Sequence, residues 1–345
     1  QAQATCERWS IRVQIGLSGT PLVGKADVRA TIAHAQAAAD DGFASYSIAE
    51  HPTGGYDALT VLALVSQAVP RIHFASAVIP TFPRHPMVLA GQARTLADAS
   101  EGRFTLGVGL SHAVMMADLG IPFEKPIRHL REYLSVLVPL LRKGTVDYTG
   151  ESVRAKAQFF ASPPRFDCPV LVAALGPQAL RVAGTLADGT TLAWVGPRTI
   201  RSHIVPRIRI AAEAAGRAEP QVVASLPVAV THQPATVRDA VNAGSAMYGG
   251  LPSYRAMFDR EGVEGPGDVV IAGSEDEVAA RLDDLADAGV TTFVASETGT
   301  AEERGRTRAL LRELAGRRDA PPAYRAWRRR RRHAHAVPRS LRRVV

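Results

Sequence analysis

The stretch that decides the fold is residues 170–197, VLVAALGPQALRVAGTLADGTTLAWVGP. Its first residues, 170–174, form a short apolar run that is typical of a strand buried on both faces. Gly176 and Pro177 follow, and apolar side chains then recur at helical spacing. Proline suits the first helical position because its missing N–H would have no partner there. A second strand-like run covers residues 190–194, so the stretch predicts a βαβ unit of a parallel sheet.

The turn between this strand and its helix is built from small residues. Ala173, Ala174 and Gly176 bring nearly bare backbone to the start of the helix. Unpaired N–H groups and the helix dipole at such an N-terminus favour an anion, most often a phosphate. The alternative is an ordinary strand-to-helix turn in which glycine serves the geometry alone, and the residues by themselves leave both open.

Strand-like and helix-like segments alternate along most of the chain. The predicted strands cover residues 12–17, 45–49, 72–79, 104–109, 170–174, 190–194, 221–230 and 290–295. Eight strands that are each followed by a helix predict an α/β fold, a (β/α)8 TIM barrel, rather than an open doubly wound sheet. The loop at residues 16–20 lacks a dinucleotide or P-loop fingerprint, which disfavours the open sheet. The alternating residues 146–155 predict a hairpin inserted after strand four.

The positive charge of the chain is concentrated at its C-terminus. Residues 316–345 contain eleven arginines and one acid, so the rest of the chain carries a net charge of about −2 although the whole carries +8. We expect an irregular leader at residues 1–11, a barrel at residues 12–315, and an Arg-rich, disordered tail at residues 316–345. A nucleic-acid partner would have to bind this tail and is not the expected partner.

Several classes of protein are disfavoured by what the sequence lacks. No apolar run reaches the roughly 18 residues that a membrane helix needs, and no signal peptide is recognisable. Cys6 and Cys168 offer neither a disulfide framework nor metal spacing, so we expect a cytoplasmic protein without a metal site. Ser18, Ser76 and Ser111 lack the strand-to-helix elbow of a serine hydrolase.

Two histidines stand where such a barrel places its chemistry, at the C-terminal ends of strands. His51 ends strand two and His112 follows strand four, and histidine gives or takes a proton near neutral pH. The alternative for each is a histidine that is hydrogen-bonded into the rim for structure. Glu50 either orients His51 or faces a neighbouring loop, and Trp194 either stacks on a bound ring or packs the rim.

Five motifs follow one another in a fixed order along the chain. They are Gly42-Phe43 before strand two with Glu50-His51 after it, SAVIPTFPRHP at residues 76–86, EGRFTLGVG at 101–109, VLVAALGP at 170–177 with Ala187-Asp188-Gly189, and AGVTTF at 288–293. Together they resemble the luciferase-like (bacterial luciferase) superfamily, especially its actinobacterial deazaflavin-dependent oxidoreductases. The resemblance spans about residues 12–315.

The resemblance implies a flavin-type ring in the barrel mouth, either an 8-hydroxy-5-deazaflavin coenzyme or FMN. It places a non-prolyl cis peptide at Ser76–Ala77, behind the ring. It also implies that Gly107 and Gly109 lie near the ring or its side chain. The cofactor phosphate would bind at Ala174, Leu175, Gly176 and Pro177.

Two positions depart from the pattern of the family's sugar-phosphate dehydrogenases. In those enzymes a histidine ends strand two and a glutamate follows strand four. His51 matches the first, but His112 stands at the second, and the tryptophan expected shortly after His51 is missing, with Gly55 near its place. Sugar-phosphate chemistry is therefore not carried over.

The hypothesis from the sequence is an oxidoreductase that transfers a hydride between a reduced deazaflavin coenzyme and a small organic substrate with a C=C, C=N or C=O bond. His51 or His112 would move the matching proton, and Glu50 and Trp194 would support the substrate. The alternative in the same fold is an FMN-dependent monooxygenase. Alternatives of another class are a non-catalytic ligand carrier and a nucleic-acid binder that acts through the tail. A homodimer is expected from the family.

Overall fold

Eight parallel strands close into a barrel in the computed structural model, which describes residues 13–22, 27–51, 53–158 and 164–316. The strands, named β1 to β8 here, are Gln14–Ser18, Ser45–Ile48, His73–Ser76, Phe104–Gly109, Val170–Val172, Gly189–Ala193, Gln221–Val230 and Thr292–Glu297. Closure is complete because β8 pairs with both β7 and β1, and β7 also pairs with β6. The predicted (β/α)8 barrel is confirmed. The expected leader, and the expected tail apart from Gly316, lie outside the described residues.

Two strands end earlier than the sequence suggested. Strand β5 ends at Val172, so residues 173–176 form a loop before the next helix. Strand β3 ends at Ser76, and a separate two-residue strand, Ile79–Pro80, continues the pairing with β4. In both places the backbone leaves the sheet at the C-terminal end of the barrel, which is the end where the candidate site residues lie.

Helices cover the outside of the barrel and begin where capping residues predict. Asp27 and Asp57 each accept a hydrogen bond at 2.7 Å from a backbone N–H of the first turn, and Ser274 forms a capping box with Glu277. The longer helices are Val28–Asp40, Ala58–Ala68, Pro86–Ala99, Pro126–Lys143, Pro177–Leu186, Val205–Ala214, Glu275–Asp287 and Ala301–Gly316. Across the described ranges, we find no helix with the length and apolarity that crossing a membrane requires.

The predicted hairpin after strand four is present. Strand Thr145–Thr149 pairs antiparallel with Arg154–Gln158. Its turn is held by the buried carboxylate of Glu132, which accepts hydrogen bonds from the backbone N–H groups of Ser152 and Val153 at 2.7 and 3.0 Å. The hairpin is therefore fixed to the long helix Pro126–Lys143.

Between β7 and β8 the chain makes an excursion over the barrel mouth. Three helices, Pro234–Gly244, Ala246–Gly250 and Pro252–Glu261, replace the single helical segment that the sequence suggested at residues 235–262. A short strand, Ile271–Gly273, then pairs in parallel with the last three residues of β7, Val228 to Val230. This excursion carries two tyrosines to the candidate site.

Candidate active site

His51 and His112 are brought together at the C-terminal end of the barrel. Both side chains are partly buried, and His112 starts the short helix Ala113–Asp118. Burial lowers the pKa of His112, and the positive charge of His51 lowers it further. The structure thus places His112 within the electrostatic influence of His51.

Four aromatic rings form a cluster that includes one histidine of this pair. They are the rings of His112, Trp194, Tyr248 and Tyr254. The ring centroids of His112 lie 5.8 Å from Tyr254 and 6.2 Å from Tyr248, and Trp194 lies 5.5 Å from Tyr248. We call this group the aromatic wall. Trp194 has a left-handed backbone with φ of 60°, a conformation that few non-glycine residues adopt. Burial raises the pKa of both Tyr248 and Tyr254, so both phenols stay neutral.

Sequence reasoning missed Tyr248 and Tyr254 as wall residues. Both lie on helices of the excursion between β7 and β8. Neither directly follows a strand, so the rule that site residues stand at strand ends does not select them. The nearest signal was the run of small and aromatic residues at 247–254, which suggests a lid but not a contact with His112.

Two roles were open for Glu50, to orient His51 or to face a neighbouring loop. In the structure Glu50 faces a neighbouring loop. Both of its carboxylate oxygens bind the guanidinium of Arg84, and Arg84 also binds Asp57. One oxygen further accepts a hydrogen bond from the backbone N–H of Ala58 at 3.3 Å. Glu50 therefore fixes the loop that follows His51 to the Pro-rich segment after β3.

The break in β3 lies next to two glycines of β4. The non-prolyl cis peptide joins Ala77 and Val78, one bond later than the resemblance implied. A Cβ on Gly107 would lie 2.1 Å from the carbonyl oxygen of Ser76, and one on Gly109 would lie 2.7 Å from the side chain of Val78. Both glycines are therefore needed to let the bulged backbone approach β4.

The helix Pro177–Leu186 begins with an open N-terminus. Its N-cap, Gly176, supplies no side-chain hydrogen bond, and a Cβ there would meet nothing within 4 Å. The first N–H groups of a helix have no partner within it, so this end can accept an anion. The arrangement fits a phosphate bound by Ala174, Leu175, Gly176 and Pro177.

A second Gly-Pro helix start, at Gly196 and Pro197, differs in one respect. The carboxylate of Glu261 accepts hydrogen bonds from the backbone N–H groups of Thr199 and Arg198 at 2.7 and 3.2 Å. The carboxylate of Glu261 already occupies this helix end. Among the described residues, no carboxylate caps the helix end at Gly176. The comparison favours Gly176 as the place for an external phosphate.

His203 supports the loop at Leu175 and was not found from the sequence. Its Nε2 donates a hydrogen bond to the carbonyl oxygen of Leu175 at 2.8 Å, and only 1% of the residue is exposed. Burial lowers the pKa of His203, which keeps the ring neutral. Within the part of the chain that the structure describes, no group of three His, Cys, Asp or Glu side chains could hold a metal ion.

Comparison with known proteins matches a family model and several curated relatives. The family model of the luciferase-like monooxygenases matches residues 9–292. An F420-dependent glucose-6-phosphate dehydrogenase of Nakamurella multipartita is 30% identical over 195 residues, which is 53% of this chain and 58% of the relative. A 5,10-methylenetetrahydromethanopterin reductase of Archaeoglobus fulgidus is 27% identical over 293 residues, which is 75% of this chain and 86% of the relative. The match thus spans less than two thirds of the first of these relatives.

Two solved structures share the fold. The coenzyme F420-dependent tetrahydromethanopterin reductase of Methanopyrus kandleri superposes with a TM-score of 0.71 at 23% identity, covering 88% of this chain and 98% of the other. An F420-dependent secondary alcohol dehydrogenase superposes with a TM-score of 0.73 at 17% identity, covering 90% of this chain and 100% of the other. At these identities the likeness concerns the barrel alone.

Proposed function

The chain belongs to the luciferase-like monooxygenase family, and from that premise we propose that it is a deazaflavin-dependent oxidoreductase. It transfers a hydride between a reduced 8-hydroxy-5-deazaflavin coenzyme and a small organic substrate that carries a C=C, C=N or C=O bond. The observation that carries the proposal is the pair His51 and His112 at the mouth of a barrel that also offers an open helix N-terminus at Gly176. The F420-dependent relatives support the choice of coenzyme.

The proposed cofactor site is built from three parts of the barrel mouth. The backbone at Ala174, Leu175, Gly176 and Pro177 binds the phosphate, and His203 holds this loop through the carbonyl of Leu175. The bulge at Ser76 and Ala77 supports one face of the ring, and Gly107 and Gly109 let that bulge approach β4. When bound, the reduced coenzyme supplies a hydride from its C5 position.

The proposed proton transfer uses the histidine pair. Because burial and the nearby His51 lower the pKa of His112, His112 is neutral near pH 7 and can accept a proton. In the direction of substrate reduction, one histidine of the pair donates the proton. Glu50 acts at a distance, by fixing the loop after His51 through Arg84.

The proposed substrate is small, neutral and largely planar. The aromatic wall offers ring faces and edges, which pack well against planar groups. None of its four side chains carries a permanent charge, so the wall itself offers no permanent cation for a phosphate. This agrees with His112 standing where the family's sugar-phosphate dehydrogenases have a glutamate.

The test is a fluorescence titration of the full chain with the oxidised deazaflavin coenzyme and, in parallel, with FMN. We expect tight deazaflavin binding and weak FMN binding. The variant Gly176→Asp places a carboxylate at the open helix end and should weaken deazaflavin binding, whereas Gly305→Asp, on the exposed side of the helix Ala301–Gly316 with no atom within 4 Å of its Cβ position, should not. A preference for FMN would favour the monooxygenase, and binding of neither would overturn the proposal.

We further propose that the enzyme is a cytoplasmic homodimer. The mass in solution, measured by light scattering, checks the dimer: about twice the chain mass of 36.8 kDa supports it, and the mass of a single chain contradicts it. Fractionation of cells that produce the protein checks the compartment.

A further inference from the structure

The lumen of the barrel holds a cavity at the end opposite to the aromatic wall. Its volume is about 550 Å³, and it opens between the N-terminal ends of the strands. The first residues of five strands line it, namely Gln14, Ser45, His73, Gln221 and Thr292. This end of the barrel plays no part in the proposed hydride transfer.

The cavity exists because the strands direct their large side chains outward, towards the helices, and small side chains into the lumen. Barrel interiors of this kind are usually filled by branched side chains such as Val, Ile and Leu. Here most of the inward positions beyond the first layer are small, and the residues between them are large and fully buried against the helices. The small lining residues are Ser47, Ala75, Thr105, Thr191 and Ser225, and the large outward ones are Tyr46, Phe74, Phe104 and Phe293.

The lining is mostly apolar but carries hydroxyl groups and one unsatisfied amide. Gln14 is 8% exposed, and its side-chain Nε2 is buried without a hydrogen-bond partner. A buried donor without a partner is unfavourable, so an acceptor supplied by a ligand would be favourable there. The acid among the lining residues, Glu219, is paired with Arg209. His73 donates to, or accepts from, the hydroxyl of Thr105 at 2.8 Å.

We propose that this cavity is a second binding site, which takes a small, neutral, mainly apolar organic molecule with a hydrogen-bond acceptor. Its volume lies in the range of known small-molecule pockets, roughly 300–1,000 Å³. Among the described residues, no lysine or arginine lines it, which disfavours an anionic ligand. Its inner end is formed by Ser76 and Ala77, so a bound molecule would lie directly below the bulge at the barrel mouth. The inference does not depend on the proposed enzymatic function.

The test uses the neutral fluorescent probe N-phenyl-1-naphthylamine and the full chain. We expect saturable binding with a rise in fluorescence. Ala75→Phe and Ser225→Leu fill the lumen from opposite walls, because Ala75 lies on β3 and Ser225 on β7. Each should weaken probe binding by about tenfold or more, which corresponds to about 1.4 kcal/mol. Two filling variants keep the test decisive if one of them does not fold, which circular dichroism will show.

Two further variants locate the bound probe. Ile210→Phe places a phenyl ring on the outer surface, where Ile210 is 66% exposed, and should leave the affinity unchanged. Tyr248→Ala alters the aromatic wall and should also leave it unchanged. Absence of binding, unchanged affinity in the filled variants, or loss of binding in Tyr248→Ala would each overturn the proposal. Binding that appears only after deletion of residues 1–11 would also overturn it, because the chain's own N-terminus would then be the occupant.

Discussion

Two hydrogen bonds join Ser76 to Gly107: the hydroxyl of Ser76 donates to the carbonyl oxygen of Gly107 at 3.0 Å and accepts from its N–H at 2.9 Å. They lie where the ladder between β3 and β4 is interrupted. Backbone pairing stops at Ala75 and resumes at Ile79, opposite Val108. One side chain therefore satisfies both backbone groups that the bulge leaves without a strand partner, as buried backbone groups require.

We expect Ser76→Ala to lower the free energy of unfolding by about 1–3 kcal/mol. The substitution leaves the N–H and the carbonyl of Gly107 buried without this partner. Urea denaturation measures the change. The control is Ser202→Ala, an exposed serine that donates within its own helix, for which we expect a change of about 0.5 kcal/mol or less. Equal changes in the two variants would contradict the role given to Ser76.

Gly107→Ala and Gly176→Ala should differ sharply in their effect on stability. A Cβ on Gly107 would lie 2.1 Å from a backbone oxygen, which cannot move without displacing β3, so we expect misfolding or a loss above about 3 kcal/mol. A Cβ on Gly176 meets nothing within 4 Å, and its backbone φ of −77° suits any residue, so we expect a change below about 1 kcal/mol. Thermal unfolding of both variants checks the contrast, and a stable Gly107→Ala protein would contradict it.

The carboxylate of Glu132 should make stability depend on pH in acid. Burial alone would raise its pKa, but hydrogen bonds from Ser152, Glu151 and Val153 outweigh burial and lower it to about 2, from 4.5 for an ordinary carboxyl. Because the folded pKa is the lower one, the stabilisation is complete above about pH 4.5 and is lost as the pH falls towards 2.

We therefore expect Glu132→Gln to be less stable than the parent protein by about 2–3 kcal/mol at neutral pH, with the difference shrinking below about pH 4. Urea denaturation at several pH values measures it. Glu151→Gln is the matched control, because Glu151 is exposed and pairs with Arg128 at the surface, where ion pairs contribute little. A difference between Glu132→Gln and the parent that stays constant from neutral pH to pH 3 would argue against the ionised carboxylate.

Replacing His51 should raise the pKa of His112. The charge of His51 is one of the two causes that lower this pKa, and His51→Gln removes it while burial remains. NMR titration of the His112 ring protons measures the shift without requiring activity. His85→Gln is the control, since His85 instead caps the helix Pro86–Ala99, and it should leave the titration of His112 in place. An unchanged pKa in His51→Gln would show that the two rings are not coupled.

His112→Ala should lower the rate of the proposed hydride transfer about 10²–10⁴-fold while deazaflavin affinity changes little. The reason is that His112 is assigned to proton transfer, whereas the phosphate is assigned to the backbone at Gly176. Single-turnover kinetics together with the fluorescence titration separates the two effects. A parallel loss of rate and cofactor affinity would place His112 in cofactor binding instead.

The sequence by itself determined the barrel and the family. The run at residues 170–197 predicts one arrangement, because a buried strand, a helix and a second strand follow one another with little room for other pairings. The N-caps at Asp27, Asp57 and Ser274 are equally local, since each side chain binds a backbone group three residues away. The inserted hairpin followed from strict alternation and a glycine turn.

Only the tertiary structure decided which residues meet. Glu50 turned towards Arg84 because the Pro-rich segment after β3 folds back on the loop after β2, and Tyr248 and Tyr254 reached His112 from an excursion far along the chain. The hollow lumen depends on small side chains from several strands facing one another, although each strand looks ordinary alone. Local patterns follow from interactions between neighbours in sequence. Contacts between distant segments depend on how the closed sheet brings their ends together, which no single segment encodes.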